Sequence, residues 1–249
     1  MFRYYLKLGT LSIRANPALS FLMVAAIAIG IGACMTIMTV KHVMSGNPIE
    51  HKNDQLYHVQ VDNWNPDDPD QDPDLPPEQL AYLDAKALFD ASRAFRQTTS
   101  YKISRVVQPE GDDARPFQTD GRATTADFFP MFDVPFQYGS GWDNAADATE
   151  ERVVVLSRDL NEQVFGGENS VGRILTLNGE SFRVSGVLDD WTPVPKFFDL
   201  NNNPYEEPES LYLPFSLAVA GKFDRSGNTS CWKPLEGEGF EAFLASECI

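Results

Sequence analysis

No charged residue falls between Arg14 and Lys41, and this one run constrains everything else the chain can fold into. The 26 residues Ala15–Val40 are almost wholly apolar. At 1.5 Å per residue the stretch from Ala18 to Val40 makes about 34 Å of helix, against a bilayer hydrocarbon core of roughly 30 Å. A membrane-spanning helix is the expectation, and the remaining chain then lies on one side of the bilayer.

Charge predicts which side. Arg3, Lys7 and Arg14 precede the span, Lys41 follows it, and residues 1–49 hold no Asp or Glu. Cations gathered before a span point to a cytoplasmic N-terminus and an external, periplasmic chain from about residue 45. Residues 50–249 carry −20, because the whole chain is −16 and its first 49 residues are +4. So acidic a surface argues against nucleic acid as a partner, since that binding needs basic groups to displace counterions. A cationic ligand is permitted but not indicated.

A cleaved signal is the rival reading of the same run, because Ile31-Gly32-Ala33-Cys34 resembles a bacterial lipobox. Secretory apolar cores run about 7–15 residues. Here hydrophobicity continues past Cys34 through Met35, Ile37, Met38 and Val40, which favours the span. Small residues recur within it, and Ala26, Gly30, Gly32 and Ala33 are the candidates for close helix packing. The alternative is that Gly and Ala are simply common in membrane helices. Before the span, Phe2, Tyr4, Tyr5, Leu8, Leu11 and Ile13 alternate with Arg3, Lys7 and Arg14. That pattern suits either a short interfacial helix on the lipid or a frayed tail with snorkelling cations.

The external chain has the composition of one large or two small globular domains. Leu56–Val61 alternates as a strand should. Asp62–Pro77 is a proline-broken aspartate run that lacks the glycine and closing glutamate of a calcium loop, so a solvated loop is expected. Pro76-Pro77 then opens a predicted helix with Leu80, Leu83, Ala87, Leu88 and Ala91 on its apolar face. Strands are expected over Thr98–Val107 and Arg115–Thr119 around a Gly111-Asp112-Asp113 turn. Asp127–Phe132 reads as aromatic core, and the chain from there to Asp147 as loop. Arg152–Ser157 reads as a strand, followed by a helix capped by Ser157 and ended by Gly166-Gly167. Ile174–Leu177 and Phe182–Leu188 form a predicted hairpin across Asn178-Gly179. Leu211–Phe215 reads as an edge strand because it contains Pro214.

Catalytic signatures are weak, and the chain reads as no enzyme with no cofactor and no metal site. Gly167–Ile174 has the glycine spacing of a P-loop, but Arg173 stands where the phosphate-binding Lys belongs and Ile174 where the magnesium hydroxyl belongs. It also follows a helix and precedes a strand, the reverse of the P-loop order. His42, His51 and His58 have no ligand spacing and read as surface residues. Asp189-Asp190 beside Trp191 is an adjacent pair of the kind that 36 acidic residues produce by chance.

The ordered motifs resemble a known family. Gly30-Ile31-Gly32-Ala33 in the span, Arg152–Ser157, Phe165-Gly166-Gly167, Val171-Gly172-Arg173, Leu177-Asn178-Gly179, Val184–Leu188 with Gly186, and Leu211–Phe215 together look like MacB-type (FtsX-like) ABC transporter permeases. The resemblance implies an α+β periplasmic domain of two subdomains on a single N-terminal transmembrane helix. The divisions expected are an interfacial segment 1–16, the span 17–44, a core domain 45–225 and a tail 226–249. It also implies a bacterial inner-membrane location and three kinds of partner: a cytoplasmic ABC ATPase, a second permease copy in a homo- or heterodimer, and a periplasmic protein. Such permeases resume with three more spans, whereas the longest later charge-free run here is Ser210–Gly221, so the chain reads as the N-terminal half of one. Tail residues Cys231 and Cys248 lie outside the membrane, where a disulfide between them or two free thiols are both open. The competing function is an anchored periplasmic binding or adaptor module.

Overall fold

The computed structural model describes residues 2–62, 75–111, 115–227, 229–231, 235, 237–246 and 248. The aspartates between Asp62 and Pro77, and Asp112-Asp113 of the expected turn, lie outside the described residues. The chain divides into two units, Met1–Pro48 and Ile49–Ile249.

In the first unit, α1 covers Phe2–Ala15 and α2 covers Pro17–Met44. Asn16 separates them, and Pro17 starts α2 where its missing N–H costs nothing. The helix continues beyond Lys41 without a break, as nothing between Val40 and Ser45 is Gly or Pro.

The second unit begins with a 3-10 turn, Glu50–Lys52, and α3, Tyr82–Ala91. Then come β1 Ser100–Gln108, β2 Phe117–Thr124, α4 Phe128–Met131, β3 Phe136–Gly139, α5 Asn144–Ala148 and β4 Val153–Leu156. The order finishes with α6 Arg158–Phe165, β5 Ile174–Leu177, β6 Glu180–Leu188, β7 Leu211–Pro214, α7 Phe215–Ala220 and α8 Gly239–Leu244.

The stretch from β4 to β6 follows local rules closely. The Ser157 hydroxyl accepts from Leu160 N–H at 3.2 Å, which caps α6. Gly166 ends that helix at φ +67°, and its N–H reaches Glu162 O at 2.9 Å. Asn178 and Gly179, with φ of 49° and 84°, turn β5 into β6 as a two-residue hairpin requires.

Sheet order is β3-β6-β4-β7-β2-β1-β5, and β5 also pairs with β6. The second pairing closes six strands into a ring. β6 is long enough to give its first half to β5 and its last residues to β3. Pairs β2–β7 and β4–β6 are parallel and the rest antiparallel.

Alternation along each strand sorts the core into two clusters. Val154 and Leu156 of β4, with Leu211 and Leu213 of β7, join Ile103, Val107, Leu175, Phe182 and Val184 inside the ring. Val153, Val155 and Tyr212 face the other way, into Phe128, Phe129 and Trp142. Phe128 lies 5.6 Å from Tyr212 and Phe129 5.0 Å from Trp142. The two clusters lie on opposite faces of one sheet, within the single unit Ile49–Ile249.

Several elements differ from expectation. Leu56–Val61 pairs with no strand among the described residues; Tyr57 is 78% exposed, so the alternation has no core to face. The helix after the prolines begins at Tyr82, not Pro76, and buries none of its residues, leaving Leu83 and Leu88 in solvent. Its neighbour Tyr82 stacks on Phe215 instead. The expected loop before Asp147 contains β3 and α5, the latter capped by the Asp143 carboxylate on Ala146 N–H. The strand expected over Arg115–Thr119 runs instead over Phe117–Thr124. Finally, β7 is a central strand, not an edge. Pro214 is its last residue and the N-cap of α7, where a missing donor breaks no interior ladder bond.

Candidate functional site: the span, the Lys52 anchor and the Arg122 clamp

Helix α2 is the one stretch among the described residues long and apolar enough to cross a membrane. None of its residues is buried within its unit. Thr36 and Thr39 donate to Gly32 O and Met35 O, at 2.9 and 2.8 Å, which satisfies both hydroxyls within the helix. Helical spacing puts Ala26, Gly30 and Ala33 on one stripe and Gly32 on another with Ala25 and Ala28. A side chain added at Gly30 or Gly32 would meet nothing within 4 Å. Cys34 is a free thiol on the same helix.

Four residues, Ser45–Pro48, lie between the end of α2 and Ile49, where the second unit begins. Ile49 is buried, and the Lys52 ammonium donates to Pro130 O and Met131 O, both at 3.0 Å, and to Asp133 Oδ1 at 2.6 Å. Those two carbonyls close the end of α4, where a cation is favoured by the helix dipole. His51 Nε2 contacts Asp133 Oδ2 at 2.8 Å. Lys52 and His51 together hold the Asp133 carboxyl below its ordinary range. His51 therefore has a partner, although its side chain remains 65% exposed as a surface residue would be.

Between β6 and β7 the chain makes a long excursion, residues 189–210, with no helix or strand. A buried ion cluster holds it. The Arg122 guanidinium on β2 donates to Glu209 Oε2 and Oε1 at 3.0 and 2.6 Å, to Ser100 Oγ at 3.0 Å, and to Asp199. Lys196 Nζ adds a contact of 3.4 Å to Glu209. Phe198 packs its ring 5.0 Å from the Arg122 guanidinium. Arg122, Lys196 and Glu209 are each no more than 2% exposed, so these charges have exchanged water for one another. Burial alone would push Arg122 down and both carboxyls up. Their mutual attraction wins, leaving Arg122 above its ordinary value and Asp199 and Glu209 below theirs. Outside the cluster, Lys102 pairs with Asp120 at 2.7 Å and reaches Glu206 at 3.8 Å, beside an open polar groove.

The residues that carry the family resemblance occupy backbone positions with special demands. Gly166, Gly167, Gly172, Asn178 and Gly179 all have positive φ. Gly172 N–H donates to Val184 O at 2.8 Å. Phe165 is buried in the inner cluster, under the Arg173 guanidinium at 4.3 Å. Gly186 sits at the bulge where β4 pairing skips Ser185, and a Cβ there would strike Ser140 O and the Phe136 ring. Asn178 does more than turn the chain: its Oδ1 accepts from Val106 N–H at 2.7 Å and its N–H donates to Val106 O at 2.9 Å. It thereby helps tie the hairpin to β1 and close the ring. Cys231 and Cys248 are joined as a disulfide.

Neither the Lys52 anchor nor the Arg122 clamp is singled out by sequence patterning. The available signals were small: an arginine after Gly121, just past the predicted strand, and a lone lysine between Val194-Pro195 and Phe197-Phe198. Among the described residues no group of three or more His, Cys, Asp or Glu is placed to hold a metal ion.

Residues 20–232 match the family model of the MacB-like periplasmic core domain. Similar solved structures include the periplasmic region of MacB from Actinobacillus actinomycetemcomitans, at 20% identity, 73% of this chain, 68% of that chain and a TM-score of 0.44. Another is the extracellular domain of the noncanonical ABC-type transporter YknZ from Gram-positive bacteria, at 16% identity and a TM-score of 0.42, covering 55% of this chain and 64% of that one. Among curated proteins none matches.

Proposed function

The chain belongs to the MacB-like periplasmic core domain family of ABC-transporter permeases, and on that premise we propose that it acts as a permease subunit. ATP hydrolysis by a cytoplasmic ABC ATPase moves α2, and α2 passes that movement to the external domain for export or extraction of a substrate. The chain itself does no chemistry. Its N-terminus lies in the cytoplasm, and its external unit faces the periplasm, where the tail disulfide persists and a periplasmic partner docks. A second permease copy, identical or related, completes the transporter against the small residues of α2.

One observation carries this reading: the family match begins inside α2, at residue 20, and runs through to residue 232, so span and external domain belong to one family unit. The local structure suits a mechanical role. Helix α2 persists to Met44, and only Ser45–Pro48 separate it from the segment fastened by Lys52 to the end of α4.

The test is cross-linking and mass spectrometry on the full chain, affinity-purified from its native membrane. A stoichiometric ABC ATPase is expected, with ATPase activity in the complex that falls on Lys52→Ala while the amount of complex does not. Recovery without any ATPase would overturn the permease reading in favour of an anchored adaptor module. Protease added outside spheroplasts should digest the external unit, and full protection would reverse the orientation.

A further inference from the structure

Helix α1 has no part in the coupling proposed above, and the family match begins only at residue 20, beyond its end. Its charges lie along one line. At roughly 3.6 residues per turn, positions 3, 7 and 14 fall within about 40° of arc. Arg3, Lys7 and Arg14 thus share one stripe, with Thr10 at its edge. Apart from Ser12, every other residue of α1 is aromatic, aliphatic, Gly or Ala.

The broad apolar sector is left open by the rest of the described chain. Tyr4, Tyr5, Leu11 and Ile13 are 66%, 65%, 54% and 58% exposed. A helix apolar over most of its circumference does not stay in water by itself. Its tether decides what it meets. Only Asn16 separates α1 from Pro17, the first residue of α2, and at φ −136° and ψ 69° Asn16 is not helical, so α1 does not prolong the long apolar helix. A segment tied that closely to the end of a span lies at headgroup depth, the level that tyrosine rings favour. Charge names the occupant. Residues 1–49 contain no Asp or Glu, so this unit offers its own cations no carboxylate, whereas acidic headgroups carry the complementary charge.

We propose, on the same premise that α2 spans the bilayer, that α1 is a docking helix for anionic phospholipid. Its apolar sector enters the acyl boundary of the leaflet at the N-terminal end of α2, and the stripe at positions 3, 7 and 14 faces the acidic headgroups. Each cation held at an anionic surface strengthens binding about fivefold, so a zwitterionic leaflet supplies only the apolar share. Seating α1 fixes the depth at which α2 enters the bilayer, which makes the coupling helix responsive to lipid composition.

Hydrogen exchange on the full chain in nanodiscs tests this, comparing phosphatidylcholine discs with discs of phosphatidylcholine and phosphatidylglycerol in equal parts. Amides of residues 6–15 should exchange at least about tenfold more slowly with phosphatidylglycerol present, while α2 stays protected in both. Salt at 1 M, with a Debye length of about 3 Å, should remove the difference, as should the variant Arg3→Gln/Lys7→Gln/Arg14→Gln. Equal protection of α1 in both discs overturns the proposal, because apolar burial or a protein surface, such as a second copy, would then be its cover. Equal lack of protection overturns it as well and makes α1 a frayed tail; in both cases a protected α2 leaves the span standing. Fast exchange throughout α2 overturns the span and the docking helix together. Should the variant not insert, the lipid and salt comparisons on the wild type still decide.

Discussion

Arg122 and Lys52 each fasten a stretch of irregular chain to the external domain, one with its charge buried and the other with its partners in water. Arg122 is 2% exposed and joins residues 77 and 87 positions away in sequence. Lys52 has a side chain 19% exposed, and its carboxylate partner Asp133 is 49% exposed. A buried ion is costly to leave unpaired, whereas a wet pair is screened and its loss is partly repaired by solvent. The clamp should therefore set the conformation of the 189–210 excursion, and the anchor should act mainly as a positioning contact at the entry from α2.

The largest expected effect is on the clamp. Arg122→Ala should lower stability by about 3–5 kcal/mol, because Asp199 stays buried without its cation and Glu209 keeps only Lys196 at 3.4 Å. Urea unfolding followed by tryptophan fluorescence would read it, and a loss under about 1 kcal/mol would erase the contrast with Lys52. Adding Asp199→Asn to Arg122→Ala should recover part of the loss, since it removes the carboxylate that Arg122 leaves behind while Glu209 keeps Lys196 at 3.4 Å.

Acid sharpens the comparison next. Asp199 and Glu209 have folded pKa values below their unfolded ones, so their contribution is complete above the ordinary carboxylate range. It is lost as pH falls from about 4.5 through the depressed values. Asp147 runs the other way: burial raises its carboxyl, so acid relieves a penalty there. Unfolding free energy should thus drop between pH 5 and pH 2, and the drop should shrink in Glu209→Gln. An undiminished drop in that variant would assign the acid sensitivity elsewhere.

Smallest is the anchor. Lys52→Ala should cost about 1 kcal/mol, the order of a few partly exposed hydrogen bonds. Asp133→Asn should cost less, and 1 M salt, with its Debye length of about 3 Å, should remove most of the Asp133 share while leaving the Arg122 cluster intact. A salt effect equal in both variants would mean the two sites do not differ in burial as described.

How much was legible in the chain depended on the range of the forces involved. The run from Arg152 to Leu188 could be read almost residue by residue, because caps, left-handed glycines and an Asn-Gly turn act within four or five positions. Pro214 misled for an instructive reason. Proline argues for an edge only inside a ladder, and here it ends a central strand and begins α7. The apolar stripe of α3 misled differently: the period was right for a helix, but Leu83 and Leu88 remain 52% and 41% exposed among the described residues.

The sequence by itself determined a helix long and apolar enough to cross a membrane, and the family. A charge-free run of this length and hydropathy forms one long helix, and the ordered motifs from Gly30 to Phe215 belong to one family. Tertiary structure alone decided that six strands close into a ring, that Arg122 finds Asp199 and Glu209, and that Lys52 finds the end of α4. Those choices rest on partners tens of residues apart. Which of 36 carboxylates meets which of 20 cations follows from where the sheet carries them, and not from the residues beside them in the chain.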